Sequence, residues 1–142
     1  MKPIVTLTIF LALAFAYLNV GLAQSETFIT VKYNARGKLI RVSDMNDSLK
    51  KDFTCQIKTY IGTIAALRYS EGETEPYAII VQLKNGRRIF IGLDENLYQD
   101  LSEADRSNLE VTLVKGRRVR VRAYGCGASG RGDLQSSSIE FL

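Results

Sequence analysis

The chain has 142 residues, with 19 Lys and Arg against 15 Asp and Glu, and it contains neither histidine nor tryptophan. Its net charge of +4 is smaller than the dense basic surplus typical of a dedicated nucleic-acid-binding protein. Without histidine, a Ser-His-Asp or Cys-His catalytic set cannot form, and the commonest zinc ligand is missing. We therefore expect a protein that is not an enzyme, with no catalytic residue, metal or cofactor.

The first 23 residues have the features of a secretory signal peptide. Lys2 supplies a positive start, residues 4–16 are apolar, and Gly21 and Ala23 place small residues at a cleavage site. The apolar run is short for a membrane span, although a retained N-terminal anchor is the alternative. We predict a signal peptide over 1–23 and a secreted or periplasmic protein with no stable membrane span after cleavage. Roughly 120 residues then remain, enough for one domain with one core.

Residues 24–52 are predicted to form an N-terminal β-hairpin and a connector. Residues 27–33 alternate in polarity as a strand does, and 34–37 have the composition of a turn. Residues 38–42 then read as the returning strand. The polar stretch 43–52 suits a flexible connector or a short helical turn.

The chain contains two cysteines, Cys55 and Cys126. In an exported protein an even number of cysteines favours a disulfide bond. Two unrelated buried thiols are the alternative. A catalytic thiol is disfavoured because no histidine is present to activate it.

Three strands in succession are predicted from residue 55 onward. Residues 55–69 alternate in polarity, with Gly62 marking a bulge or bend. Residues 77–83 are apolar on both faces, as in a central strand. The Asn-Gly pair within 84–87 is a strong hairpin signal, and 88–93 form the partner strand.

A helix and two further strands complete the predicted domain, residues 53–142. The helix is predicted over 102–114, with Ser102 as its N-cap. Strict alternation then predicts a strand over 117–124, and 139–142 form a short closing strand. The fold class is therefore mainly β: a five-stranded OB-fold-like barrel with one helix between strands 3 and 4, preceded by the N-terminal β-hairpin.

Three arginines and a tyrosine recur at every second position of one strand and are our candidate ligand-binding residues: Arg118, Arg120, Arg122 and Tyr124. A spacing of two places them on one face, where guanidinium groups can hold phosphate, sulfate or carboxylate groups. The alternative is a solvated face, or pairing with carboxylates such as Glu110 or Glu140.

Short motifs of the predicted barrel give the chain a resemblance to a known family. They are the stretches 62–64 and 76–81, the helix, and 116–121. Together with the signal peptide, they resemble the B subunit of subtilase cytotoxin and its relatives. The resemblance implies a ring-shaped homopentamer that binds glycans and carries a catalytic partner subunit. The family's sialic-acid-binding Ser corresponds to Ile61 here, so we carry over no binding residue.

From these observations we expect an exported, non-catalytic binding module that recognises a glycan or protein partner. The resemblance further implies a homo-oligomeric ring similar to toxin B subunits. The alternative is an OB-fold that binds a polyanion, either nucleic acid or a sulfated or phosphorylated glycan, through the arginine ladder. Nucleic acid is the less favoured of these ligands.

Overall fold

The computed structural model describes residues 29–127 and 133–142. Within them lie seven strands, one α-helix and a short 3-10 helix (Asp47–Lys51). The strands are β1 (Thr30–Tyr33), β2 (Leu39–Ser43), β3 (Gln56–Tyr69), β4 (Pro76–Leu83), β5 (Arg88–Gly92), β6 (Arg118–Gly125) and β7 (Leu134–Phe141), and the helix is α1 (Glu103–Thr112). The predicted signal peptide, residues 1–23, lies outside the described residues.

Five strands close into a barrel. The sheet order is β1-β2-β7-β5-β4-β3-β6, and an additional pairing between β6 and β7 completes the circle. The pairing of β5 with β7 is parallel, and the other pairings are antiparallel. These features confirm the prediction of a mainly β chain with a closed five-stranded barrel and one helix.

Strand β7 has three partners. Along one edge it pairs with β6 over most of its length. Along the other edge, its first residues pair with β5, with Leu134 opposite Ile91, and its last residues pair with β2, with Ile139 opposite Val42. On this edge of β7, β5 thus closes the barrel and the β1–β2 hairpin extends the sheet beyond it.

The segment 43–52, predicted as a connector, packs against the barrel. Met45 is completely buried, and its N–H donates to the carbonyl oxygen of Ser137 at 3.1 Å. The side-chain amide of Asn46 donates to the carbonyl oxygen of Ser136 at 2.8 Å. These contacts fill the gap along β7 between its pairings with β5 and β2.

The interior follows from alternation along the strands. Buried residues alternate with more exposed ones along much of β4, β5 and β6, and they include Ile79, Val81, Ile91, Val119 and Val121. The helix adds Leu109 to the same core, and its C-cap residue adds Leu113. We predicted a helix from Ser102 onward, and the Ser102 hydroxyl does accept the N–H of Asp105, at 3.1 Å, as an N-cap.

A disulfide bond joins Cys55 to Cys126, as predicted. It connects the residue before β3 to the residue after β6, across a sequence separation of 71. Because β3 and β6 are neighbours in the barrel, the bond holds the end of an existing strand pair.

Further along β3, Gly62 meets β4 so closely that an added Cβ would lie 2.2 Å from the carbonyl oxygen of Gln82.

Candidate functional site

The three predicted arginines lie on the outer face of β6. Arg118, Arg120 and Arg122 are exposed, and they alternate with the buried Val119 and Val121. The central arginine is not available as a free cation, because its Nη1 donates to Oε2 of Glu140 on β7 at 2.5 Å. The stripe is therefore interrupted at its centre by an ion pair of the kind that we gave as the alternative.

Tyr124 does not accompany the arginines on an accessible face, which corrects our prediction. Only 2% of its surface is exposed. The alternation of exposed and buried residues along β6 ends after Arg122, although the pairing of β6 with β3 stays in regular register through Tyr124, which lies opposite Ile57. A buried ring cannot stack on a ligand, so Tyr124 is not a ligand-binding residue in this conformation.

A groove of about 560 Å³ opens where β4 begins and β5 ends. Segments distant in sequence contribute to it: the β3–β4 loop, the β5–α1 connection and the start of β7. Its aromatic, acidic and amide side chains are Tyr77, Phe90, Tyr98, Glu73, Glu75, Asp94, Glu95, Asp133, Gln99 and Gln135. We call this set the acidic aromatic groove.

Two rings give the groove an exposed apolar surface. Tyr77 and Phe90 are 49% and 45% exposed, and their ring centroids lie 6.2 Å apart with the planes tilted by 51°. Tilted pairs at this distance are favourable aromatic contacts, so each ring helps to hold the other in place. The pair is a ready platform for the apolar face of a ligand.

The groove also carries a negative field. Among the described residues that line it there is no lysine or arginine. Burial, followed by the nearby charge of Glu75, raises the pKa of Tyr98, so this hydroxyl stays neutral at physiological pH. The arrangement favours neutral or cationic ligands that offer hydrogen-bond donors, and it repels anions.

One of the carboxylates has a structural task. Asp94 Oδ2 accepts the backbone N–H of Asn46 at 2.5 Å, and its Oδ1 accepts the N–H of Asn96 at 2.9 Å. Asp94 thus ties the β5–α1 connection to the N-terminal segment and fixes one wall of the groove. The other acidic side chains that line the groove remain as candidate ligand contacts.

Sequence reasoning did not assemble this groove. Taken one segment at a time, the sequence shows acidic residues between two strands (Glu73 and Glu75) and after a strand (Asp94 and Glu95), and a tyrosine at the start of a strand (Tyr77). What was missing is that the loops meet, which depends on the strand order.

Within residues 29–127 and 133–142, no group of three or more His, Cys, Asp or Glu residues is arranged to hold a metal ion. No helix in the same ranges is long and apolar enough to cross a membrane. Compared with known proteins, the chain matches no protein-family model and no curated protein.

Proposed function

We propose that this chain is an exported, non-catalytic binding module with an OB-fold-like barrel, and that it recognises a glycan at the acidic aromatic groove. The strand order, the parallel pairing of β5 with β7 and the helix between β5 and β6 support the OB-fold assignment. OB-folds bind oligosaccharides and oligonucleotides on the face of their second and third strands and the adjoining loops. Here those strands are β4 and β5, which carry Tyr77 and Phe90.

The exposed Tyr77–Phe90 pair, bordered by carboxylates and amides, is the observation that carries the proposal. A sugar ring has an apolar face suited to an aromatic ring, and hydroxyl groups around its edge that donate to carboxylates. The volume of about 560 Å³ lies in the range of small-molecule sites. Because the groove is acidic, the sugar recognised is neutral or carries an amine.

Export is supported by the disulfide bond, since such bonds persist in oxidising compartments. The proposal therefore places the protein outside the cytosol, either in the periplasm or in the extracellular space. Recognition of a protein partner at the same groove is the competing form of the proposal, and the experiment below separates the two.

A glycan array with the purified protein tests the proposal, followed by calorimetric titration of each hit. We expect Tyr77→Ala to weaken binding about tenfold, since an aromatic contact of this kind contributes about 1.5 kcal/mol. Tyr69→Ala is the matched control, because Tyr69 is also 49% exposed but does not line this groove. An array without hits, or equal affinity of both variants, would refute glycan binding here. Capture of a protein through Tyr77 would replace the glycan with a protein partner.

The alternative proposal, a polyanion bound along the arginine ladder, has weaker support. Arg120 is paired with Glu140, and Tyr124 is buried. Two exposed arginines, Arg118 and Arg122, remain on that strand, separated by the neutralised one. A continuous row of positive charge along β6 is therefore absent from the described surface.

We also propose that copies of the chain associate, as the resemblance to toxin B subunits implies. Residues 56–61 of β3 pair only with β6 in the described part of the sheet, so their other edge has no strand partner. Ile57 and Ile61 on this half of the strand are each 44% exposed. Such an edge can accept a strand from a second copy. Light scattering should give a defined oligomer, and a monomer at micromolar concentration would remove this proposal.

A further inference from the structure

A row of polar side chains crosses four neighbouring strands on the outside of the barrel. Arg88 on β5 lies opposite Gln82 on β4. Gln82 lies opposite Thr63 on β3, which in turn lies opposite Arg118 on β6. All four residues are exposed, whereas Val81 and Val119, their neighbours along the strands, are buried. We call these four residues and the adjacent Lys84 the basic row.

The middle of the basic row is concave. Thr63, Gln82, Lys84 and Arg118, together with apolar neighbours that include Ile61, line a groove of about 700 Å³. None of the described residues lining it is acidic or aromatic. The groove therefore differs in chemistry from the acidic aromatic groove, which lies at the other end of β4.

The described residues offer no acidic partner to the cations of the basic row. In this part of the chain, the ion pairs within 4.0 Å involve only Lys50 and Arg120 as cations. The side chains of Arg88, Lys84 and Arg118 are exposed, and no described carboxylate pairs with them. A cluster of like charges is mutually repulsive, and a bound anion relieves that repulsion.

The dimensions of the row suit an extended ligand with anionic groups along its length. Neighbouring strands are about 4.8 Å apart, so the row from Arg88 to Arg118 covers about 14 Å of the curved barrel surface, measured across three strand spacings. Guanidinium groups match oxyanions with paired N–H donors. The Gln82 amide and Thr63 hydroxyl between them can bond to hydroxyl groups of the ligand.

We propose that the basic row binds a sulfated glycan, whose sulfate groups lie at Arg88, Lys84 and Arg118 and whose hydroxyl groups contact Gln82 and Thr63. A single-stranded nucleic acid is the less suitable polyanion, because OB-fold sites of that kind stack bases on aromatic side chains and this groove has none among its described residues. This site is independent of the proposed glycan site at Tyr77, because the two lie at opposite ends of β4.

Calorimetric titration of the purified protein with a heparin-derived oligosaccharide tests this assignment. We expect Arg118→Ala and Arg88→Ala each to weaken binding about tenfold and to lower the slope of log K against log salt by about one. Arg122→Ala is the matched control, because Arg122 is also exposed on β6 but lies outside the row, and it should weaken binding less than twofold. Tyr77→Ala should leave the affinity unchanged.

Each other outcome overturns the assignment. Failure of the wild-type protein to bind the sulfated oligosaccharide removes the site. Equal losses for Arg118→Ala and Arg122→Ala would indicate charge attraction without a site, or binding along the ladder. Undiminished binding of a desulfated oligosaccharide, or equally tight binding of an oligothymidine of the same charge, would exclude sulfate as the recognised group. Thermal unfolding of each variant verifies that it is folded.

Discussion

Replacement of Gly62 by alanine should be among the most damaging small changes in this protein. The added Cβ would lie 2.2 Å from the carbonyl oxygen of Gln82 and 2.8 Å from Cγ1 of Val81. An ordinary van der Waals contact of a Cβ atom begins at 3.4 Å, so both distances are too short. Gly62 is also paired on both sides, opposite Leu83 and Val119, so the strand cannot move without disturbing two pairings.

The expected loss follows from these contacts. Overpacking typically costs about 1–3 kcal/mol, and a disturbed strand hydrogen bond costs about 1 kcal/mol more. Alanine returns about 0.4–1 kcal/mol by restricting the unfolded chain. We therefore expect Gly62→Ala to lower the free energy of unfolding by about 3 kcal/mol.

Gly92→Ala provides a matched comparison. Its Cβ would lie 2.6 Å from Oε1 of Gln135, a similarly severe clash, but the far end of a flexible side chain can move aside. We expect this variant to lose less than about 1 kcal/mol. Urea unfolding of both variants, followed by circular dichroism, measures the difference. Equal losses would show that the distinction between backbone and side-chain obstacles is wrong for this sheet.

Two further predictions concern the disulfide bond and a buried tyrosine. Replacing Cys55 and Cys126 by serine should lower the free energy of unfolding by about 4 kcal/mol, because a loop spanning 71 residues is released in the unfolded chain. The urea m-value should rise, since the unfolded chain then exposes more surface, and reduction of the wild-type protein should have the same effect as the double substitution. A loss of unfolding free energy below about 1 kcal/mol would contradict this prediction. The folded state raises the pKa of Tyr98, first through burial, so its stabilisation is complete below the unfolded pKa of about 10 and is lost above it, by up to about 1.4 kcal/mol per pH unit. Tyr98→Phe should therefore make the unfolding free energy fall less steeply between pH 10 and 12. Some decline should remain, because the pKa of Tyr33 is also raised in the folded state. An unchanged slope would show that Tyr98 is not the source of the decline.

Local patterns in the sequence predicted much of the fold. Alternation of Val119 and Val121 with arginines identified a strand that is buried on one side. The Asn-Gly pair and Ser102 marked a turn and a helix start by residue-specific backbone preferences. The two cysteines indicated their bond because the predicted signal peptide implied an oxidising compartment. Each of these signals acts over a few residues or on composition alone.

The start of β7 shows where local patterns fail. We predicted a closing strand from residue 139, but β7 begins at Leu134. Its early part contains serines, which resemble a loop in sequence. In the structure Ser136 is fully buried, with its hydroxyl 3.6 Å from the sulfur of Met45. A small side chain is suited to this crowded position because Met45 of the N-terminal segment packs there, and only the tertiary fold shows that.

Register explains why the candidate sites differ from the sequence prediction. The sequence shows the spacing of Arg118, Arg120 and Arg122 along one strand. It does not show that Glu140 faces the middle arginine, or that Arg88 lies in the same row as Arg118. Both facts depend on how strands far apart in the chain are aligned. A site formed by residues of several neighbouring strands therefore cannot be predicted from sequence patterns, which describe each strand separately.

The three partners of β7 determine the order in which the sheet can be completed. Strands β2, β5 and β6 each pair with β7, which is synthesised after all of them. The contact between β2 and β7 spans most of the described chain. Such non-local contacts slow folding, because much chain entropy is lost before they form. As the chain is synthesised from its N-terminus, one edge of each of these three strands stays unpaired until β7 has been made, so the barrel closes only when this strand joins the sheet.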